Sequence, residues 1–121
     1  MSAQAILALA ALGGAGALAR HLTVFAVAQR SGDRFPLGTL SVNLAGSLIL
    51  GLLVGAGVTG TTLTLLGAGL LGSYTTFSAW IADSDGLARQ HRPQAAAVNI
   101  FLSLFAGLAA LIIGRAAGVL L

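Results

Sequence analysis

The sequence predicts an all-α integral membrane protein with four transmembrane helices, and three observations carry that prediction. Hydrophobic residues make up 57% of its 121 residues. Charged residues make up 7%, whereas a soluble domain carries roughly a quarter. Four stretches are long enough to cross a hydrocarbon core, which takes about 20 mostly apolar residues in helical form. Seventeen glycines would weaken soluble helices, but glycine is common where membrane helices pack closely. The length suits one domain, and the spans leave no linker or soluble domain between them.

The first span covers 3–28 and carries Arg20 and His21 in its second half. Residues 29–36 (QRSGDRFP) end it with Gly, Pro and charge. The second span, 37–58, has no charged residue, and 59–62 (TGTT) reads as a tight turn. The third covers 63–81, and 83–93 (DSDGLARQHRP) end it with charge and a proline. The fourth covers 95–118, with Arg115 near its end. The apolar N-terminus lacks a basic leader and meets Arg20 where a mature domain would begin, so it reads as a span rather than a cleaved signal.

Helices joined by short loops alternate in direction. Arg30, Arg34, Arg89 and Arg92 therefore share one side, and Arg115 lies on the other. Arginines beside spans favour the cytoplasm, which predicts that both termini face outward. The net charge of +3 does not point to nucleic acid, because the arginines are scattered and no aromatic platform lies between them. Without cysteine there is no disulfide, thiolate metal site or cysteine nucleophile. Two lone histidines, His21 and His91, make no metal site.

Polar residues at membrane depth either find a partner or line a wet path. Thr39, Asn43 and Ser47 recur every four residues and share one face of the second span. Asn43 is the sharpest of them, since an amide offers two donors and two acceptor lone pairs. The stripe reads either as helix–helix glue or as a pore lining. In the third span, residues 72–78 (GSYTTFS) place five hydroxyls behind a glycine. That cluster fits a helix broken in the membrane, with freed backbone groups, or an unbroken helix whose hydroxyls bond back to their own carbonyls. In the fourth span Asn99, Ser103 and Gly107 form a second stripe. Arg20 either snorkels to the headgroups or orders nearby carbonyls. The hydroxyl cluster has no nucleophile elbow and no base partner, so the chain does not read as an enzyme.

Residues 13–20 (GGAGALAR), 38–47 (GTLSVNLAGS) and 72–78 (GSYTTFS), in that order on the first three spans, resemble the Fluc (CrcB) family of fluoride channels. The resemblance implies a passive channel in the cell inner (plasma) membrane that relieves fluoride toxicity. It implies two antiparallel subunits and two pores, with the third helix broken mid-membrane. Carried over by motif, Asn43 would bind the ion in a pore and Phe77 would offer its ring edge. Thr39, Ser78, Asn99 and Ser103 would supply further donors. The backbone carbonyls of Gly72 and Thr75, from both subunits, would hold a structural Na⁺ at the dimer centre. Arg20 matches the arginine of the first motif.

The sequence departs from the family pattern where Thr-Thr-Phe-Ser continues as Ala79-Trp80 rather than Thr-Phe. Trp80 would supply either an aromatic edge or its indole N–H at the second aromatic position. The arginine bias also leaves two kinds of partner open: a second copy, or a different chain inserted the opposite way. A small multidrug-type exporter is the nearest rival of similar size. Such exporters need a membrane-embedded glutamate, and this sequence has none.

Overall fold

Ser2 opens the first helix: its hydroxyl accepts the Ala5 N–H at 3.1 Å, satisfying one donor that a helix start leaves free. Helix α1 (Ala3–Ser31) stops at Gly32, whose φ of 71° suits glycine. Helix α2 (Leu37–Gly55) follows Pro36 and ends in a turn in which Gly57 and Gly60 also have positive φ. Helix α3 (Gly60–Leu63) runs into a π-helical segment (Thr64–Leu71) and then α4 (Gly72–Tyr74). Thr75 and Thr76 are extended, and α5 (Phe77–Arg89) starts directly after them. Helix α6 (Pro93–Gly118) has its proline in the first turn, where a missing N–H costs nothing. This computed structural model describes residues 1–121 and contains no β-strand. Helices α1, α2 and α6 are each long and apolar enough to cross a membrane. The chain is an all-α, multi-pass membrane protein.

Two stretches differ from the sequence reading. Residues 60–62, read as part of a tight turn, already belong to α3, because the positive φ of Gly57 and Gly60 completes the reversal by the first of them. Residues 83–89, read as the start of a loop, continue α5 as helix. Charge there ends the apolar run but not the helix. Ser84 and Leu87 are buried on one face, while Asp85 and Arg89 lie exposed and pair across one turn at 2.7 Å. The Asp85 hydrogen bond, reinforced by its charge, raises the Arg89 pKa above its usual value.

Burial runs opposite to that of a soluble domain. The buried apolar residues are only Val42, Leu71, Leu87 and Ala96, whereas Phe25, Phe101 and Phe105 are more than half exposed. Such a surface would be a liability in water and is ordinary against lipid tails. Cohesion comes instead from close backbone approach. On the α2–α6 seam, a Cβ at Gly51 would stand 2.3 Å from the Leu111 carbonyl oxygen, and one at Gly114 2.1 Å from that of Leu48. Only glycine lets the two backbones meet there, and the contact is reciprocal.

Candidate functional site

A helical carbonyl is normally served by the N–H four residues on. Around Thr75 and Thr76 those donors are diverted to side chains. The Thr76 N–H, which would serve Gly72, donates to Asn43 Oδ1 at 2.8 Å. The Ala79 N–H, which would serve Thr75, donates to Thr76 Oγ1 at 3.1 Å and so caps α5. Asn43 also donates through Nδ2 to the Thr76 carbonyl at 2.9 Å. The amide thus grips both polar groups of one backbone residue, as a neighbouring strand would. It keeps one N–H and one lone pair uncommitted to that grip. Gly46, one turn along α2, makes the approach possible, because a Cβ there would stand 2.2 Å from Thr75 Cγ2.

Helix α1 approaches the same segment from another side. An Arg20 guanidinium nitrogen lies 3.5 Å from the Thr75 carbonyl oxygen, a long contact whose value is mainly electrostatic. Thr23, on the same face one turn later, donates to the Ala19 carbonyl at 2.8 Å and meets the Tyr74 hydroxyl at 3.2 Å.

Two grooves flank the extended pair. The first, of about 460 Å³, is lined by Asn43, Ser47, Thr76, Phe77, Trp80 and Ser103, with no charged side chain. The second, of about 530 Å³, is lined by Arg20, His21, Thr39, Thr76, Ser78 and Asp83. Thr76 borders both. The Phe77 ring is 71% exposed and meets Trp80 edge-to-face, with centroids 5.3 Å apart. Thr39, which is buried, donates its hydroxyl to Asp83 Oδ2 at 2.7 Å.

The remaining polar residues knit α5 to α6. The Trp80 indole N–H donates to the Asn99 carbonyl at 3.1 Å. Asn99 is 2% exposed; its Nδ2 donates to Ser84 Oγ at 2.9 Å, and its Oδ1 accepts from Ser103 Oγ at 3.4 Å. Of the residues singled out in the sequence, Asn43, Phe77, Trp80 and Ser103 therefore border one groove. Thr39, Ser78 and Arg20 border the other, Gly72 and Thr75 flank or form the extended turn, and Asn99 is enclosed in the α5–α6 seam.

A family described as CrcB-like protein, Camphor Resistance (CrcB), matches residues 7–115. The chain belongs to the CrcB family. Its relatives include a protein from Symbiobacterium thermophilum named Fluoride-specific ion channel FluC 1, 46% identical over 112 residues, covering 88% of this chain and 90% of that one. Another, from Rubrobacter xylanophilus and also named Fluoride-specific ion channel FluC 1, is 45% identical over 117 residues, covering 96% and 94%. A third, Fluoride-specific ion channel FluC 2 from Mycolicibacterium paratuberculosis, is 41% identical over 106 residues, covering 88% and 87%. In this CrcB chain the grooves, the extended turn and the α5–α6 seam all fall inside the matched range.

Three participants had no role in the sequence reading of this CrcB chain: Asp83, Ser84 and Thr23. Asp83 and Ser84 had a usable signal. Trp80, Ser84 and Leu87 recur at helical spacing, and following that face would have carried the helix past Asp83. Thr23 had none, because its partner Tyr74 is 51 residues away.

Proposed function

We propose that this chain is a subunit of a fluoride-selective passive channel, not an enzyme, through which fluoride leaves the cytoplasm across the cell inner membrane. The carrying observation is the Asn43 grip on Thr76, which leaves half of the amide uncommitted beside the exposed Phe77 ring. A small, strongly hydrated anion needs close donors in place of its water. The amide, neighbouring hydroxyls and an aromatic edge supply them in a groove without a buried Lys or Arg to trap the ion. The names borne by the relatives support the choice of ion.

Two subunits would pack antiparallel, with the extended pair at mid-membrane and one pore on each side of the dimer axis. A structural Na⁺ would sit on that axis. Its fit rests on the donor diversion: the Gly72 and Thr75 carbonyls have lost their helical N–H partners, and carbonyl oxygens are suitable ligands for a hard cation. Bound there, the ion would tie the two subunits together. Protein prepared in sodium-free buffer is expected to dissociate more readily, with Na⁺ restoring the dimer and K⁺ failing to do so. The arginine distribution supports a second reading of the partner as a different, oppositely inserted chain. Single cysteines placed at each end would separate the two, since equal labelling from both faces excludes a fixed orientation.

The test of the channel reading is efflux from proteoliposomes that hold this chain alone, followed with a fluoride electrode and a chloride control. Rapid fluoride release without chloride is expected. Chloride release at a comparable rate would overturn the selectivity. Absence of any release from folded dimer would overturn the homodimeric channel.

A further inference from the structure

Three consecutive residues at the turn between α4 and α5 are each held by a different side chain. Asn43 holds Thr76 from α2, and Arg20 lies against the Thr75 carbonyl from α1. Thr23 meets the Tyr74 hydroxyl, also from α1. Hydrogen counting fixes the direction of that last contact. A threonine hydroxyl has one proton, and Thr23 gives it to the Ala19 carbonyl at 2.8 Å. The Tyr74 hydroxyl must therefore be the donor to Thr23 Oγ1. Tyr74 also abuts α2, since a Cβ at Gly46 would stand 3.6 Å from its Cδ1. The ring thus bridges α1 and α2 immediately before the chain leaves the helix.

We propose that Thr23 and Tyr74 are positioning residues for ion passage: their hydroxyl contact fixes where α4 ends, and with it the Thr75 carbonyl and the Phe77 ring. The 3.5 Å Arg20 contact is too long to set this position alone. Without the phenol proton the last turn of α4 keeps only the long Arg20 contact to α1 and pivots on the Asn43 grip and the Thr75 N–H bond to the Leu71 carbonyl. The Gly72 and Thr75 carbonyls turn with it, and Phe77, three residues on, follows. The functional part of this inference rests on the channel reading, whereas the hold itself is independent of which ion passes.

The variants are Tyr74→Phe, which keeps the ring, Thr23→Val, which keeps the shape, Thr23→Ser, which keeps the hydroxyl, and the double Tyr74→Phe/Thr23→Val. Two readouts apply to dimers verified by size exclusion. One is amide hydrogen exchange at 75–77 in detergent without fluoride, and the other is fluoride efflux from vesicles. Tyr74→Phe and Thr23→Val should each speed exchange and slow efflux by about threefold to tenfold, the factor that one net hydrogen bond carries. Thr23→Ser should match the wild type, and the double variant should be no worse than either single. Wild-type exchange and efflux in both single variants, or effects that add in the double, overturn the proposal. If wild-type vesicles release no fluoride, the channel reading fails, and the exchange data alone decide whether the hold exists.

Discussion

The α2–α6 seam and the turn at Thr75–Thr76 solve the same problem in opposite ways. Each must keep backbone polar groups paired in a medium without water. At the seam the ladders of both helices stay complete, and glycines let the backbones touch: Gly51 against Leu111, Gly114 against Leu48. No side-chain polarity is used, and nothing is left over for a ligand. At the turn the ladder is opened, and Asn43 and Thr76 take over the stranded N–H groups. The Gly72 carbonyl, the Thr75 carbonyl with only the long Arg20 contact, and part of an amide remain there without a helical partner. Close packing makes a rigid wall. Side-chain replacement of a backbone bond makes a site.

The contrast can be broken most severely at the wall. Gly114→Val places its Cβ only 2.1 Å from the Leu48 carbonyl oxygen, so the helices must separate. Destabilisation of about 3 kcal/mol or more is expected from unfolding in mixed micelles, at the upper end of overpacking costs. At the site, Asn43→Ala strands the N–H and the C=O of Thr76, which lie on one residue, cannot pair with each other and can turn only toward the groove. The expected loss is about 2 kcal/mol in the same assay, because two backbone groups lose their partner. Trp80→Phe removes one indole donor from the Asn99 carbonyl and keeps an aromatic ring on the groove. A loss of about 0.6 kcal/mol is expected, the average for an interhelical hydrogen bond in a membrane. Asp85→Asn should change stability by nothing measurable, since both it and its partner Arg89 are exposed. A large effect there would show that the end of α5 is covered in the assembled protein.

What could be read from the sequence follows the same division. The apolar stretches and their glycines announce a packed membrane bundle, because lipid and close approach restrict composition directly. Asn43 stood out for the same reason, as a costly polar group in an uncharged span. The hydroxyls at 73–78 marked an unusual segment, but not which groups would take over its backbone bonds. One of them, Asn43, comes from α2, 33 residues away, and the hold on the Tyr74 hydroxyl comes from Thr23 on α1, 51 residues away. Periodicity carries no information at that range. The helical course of 83–89 was hidden differently: Asp83 and Asp85 looked like a loop, yet one is bonded to Thr39 and the other to Arg89. Asn99 and Ser103 share a stripe in the sequence, but only the fold distinguishes the enclosed Asn99 from Ser103 on the groove.

The central claim is that fluoride passes beside the Asn43–Thr76 grip. Its most direct test compares fluoride and chloride efflux for wild type and Asn43→Ser, each reconstituted as verified dimer at equal density. The account predicts fluoride release without chloride from the wild type, and a fall of about a hundredfold in the variant, as expected when roughly 3 kcal/mol of ion stabilisation is removed. Variant dimers that release fluoride at the wild-type rate would contradict it, and would leave Asn43 as a brace for the turn with the ion path elsewhere.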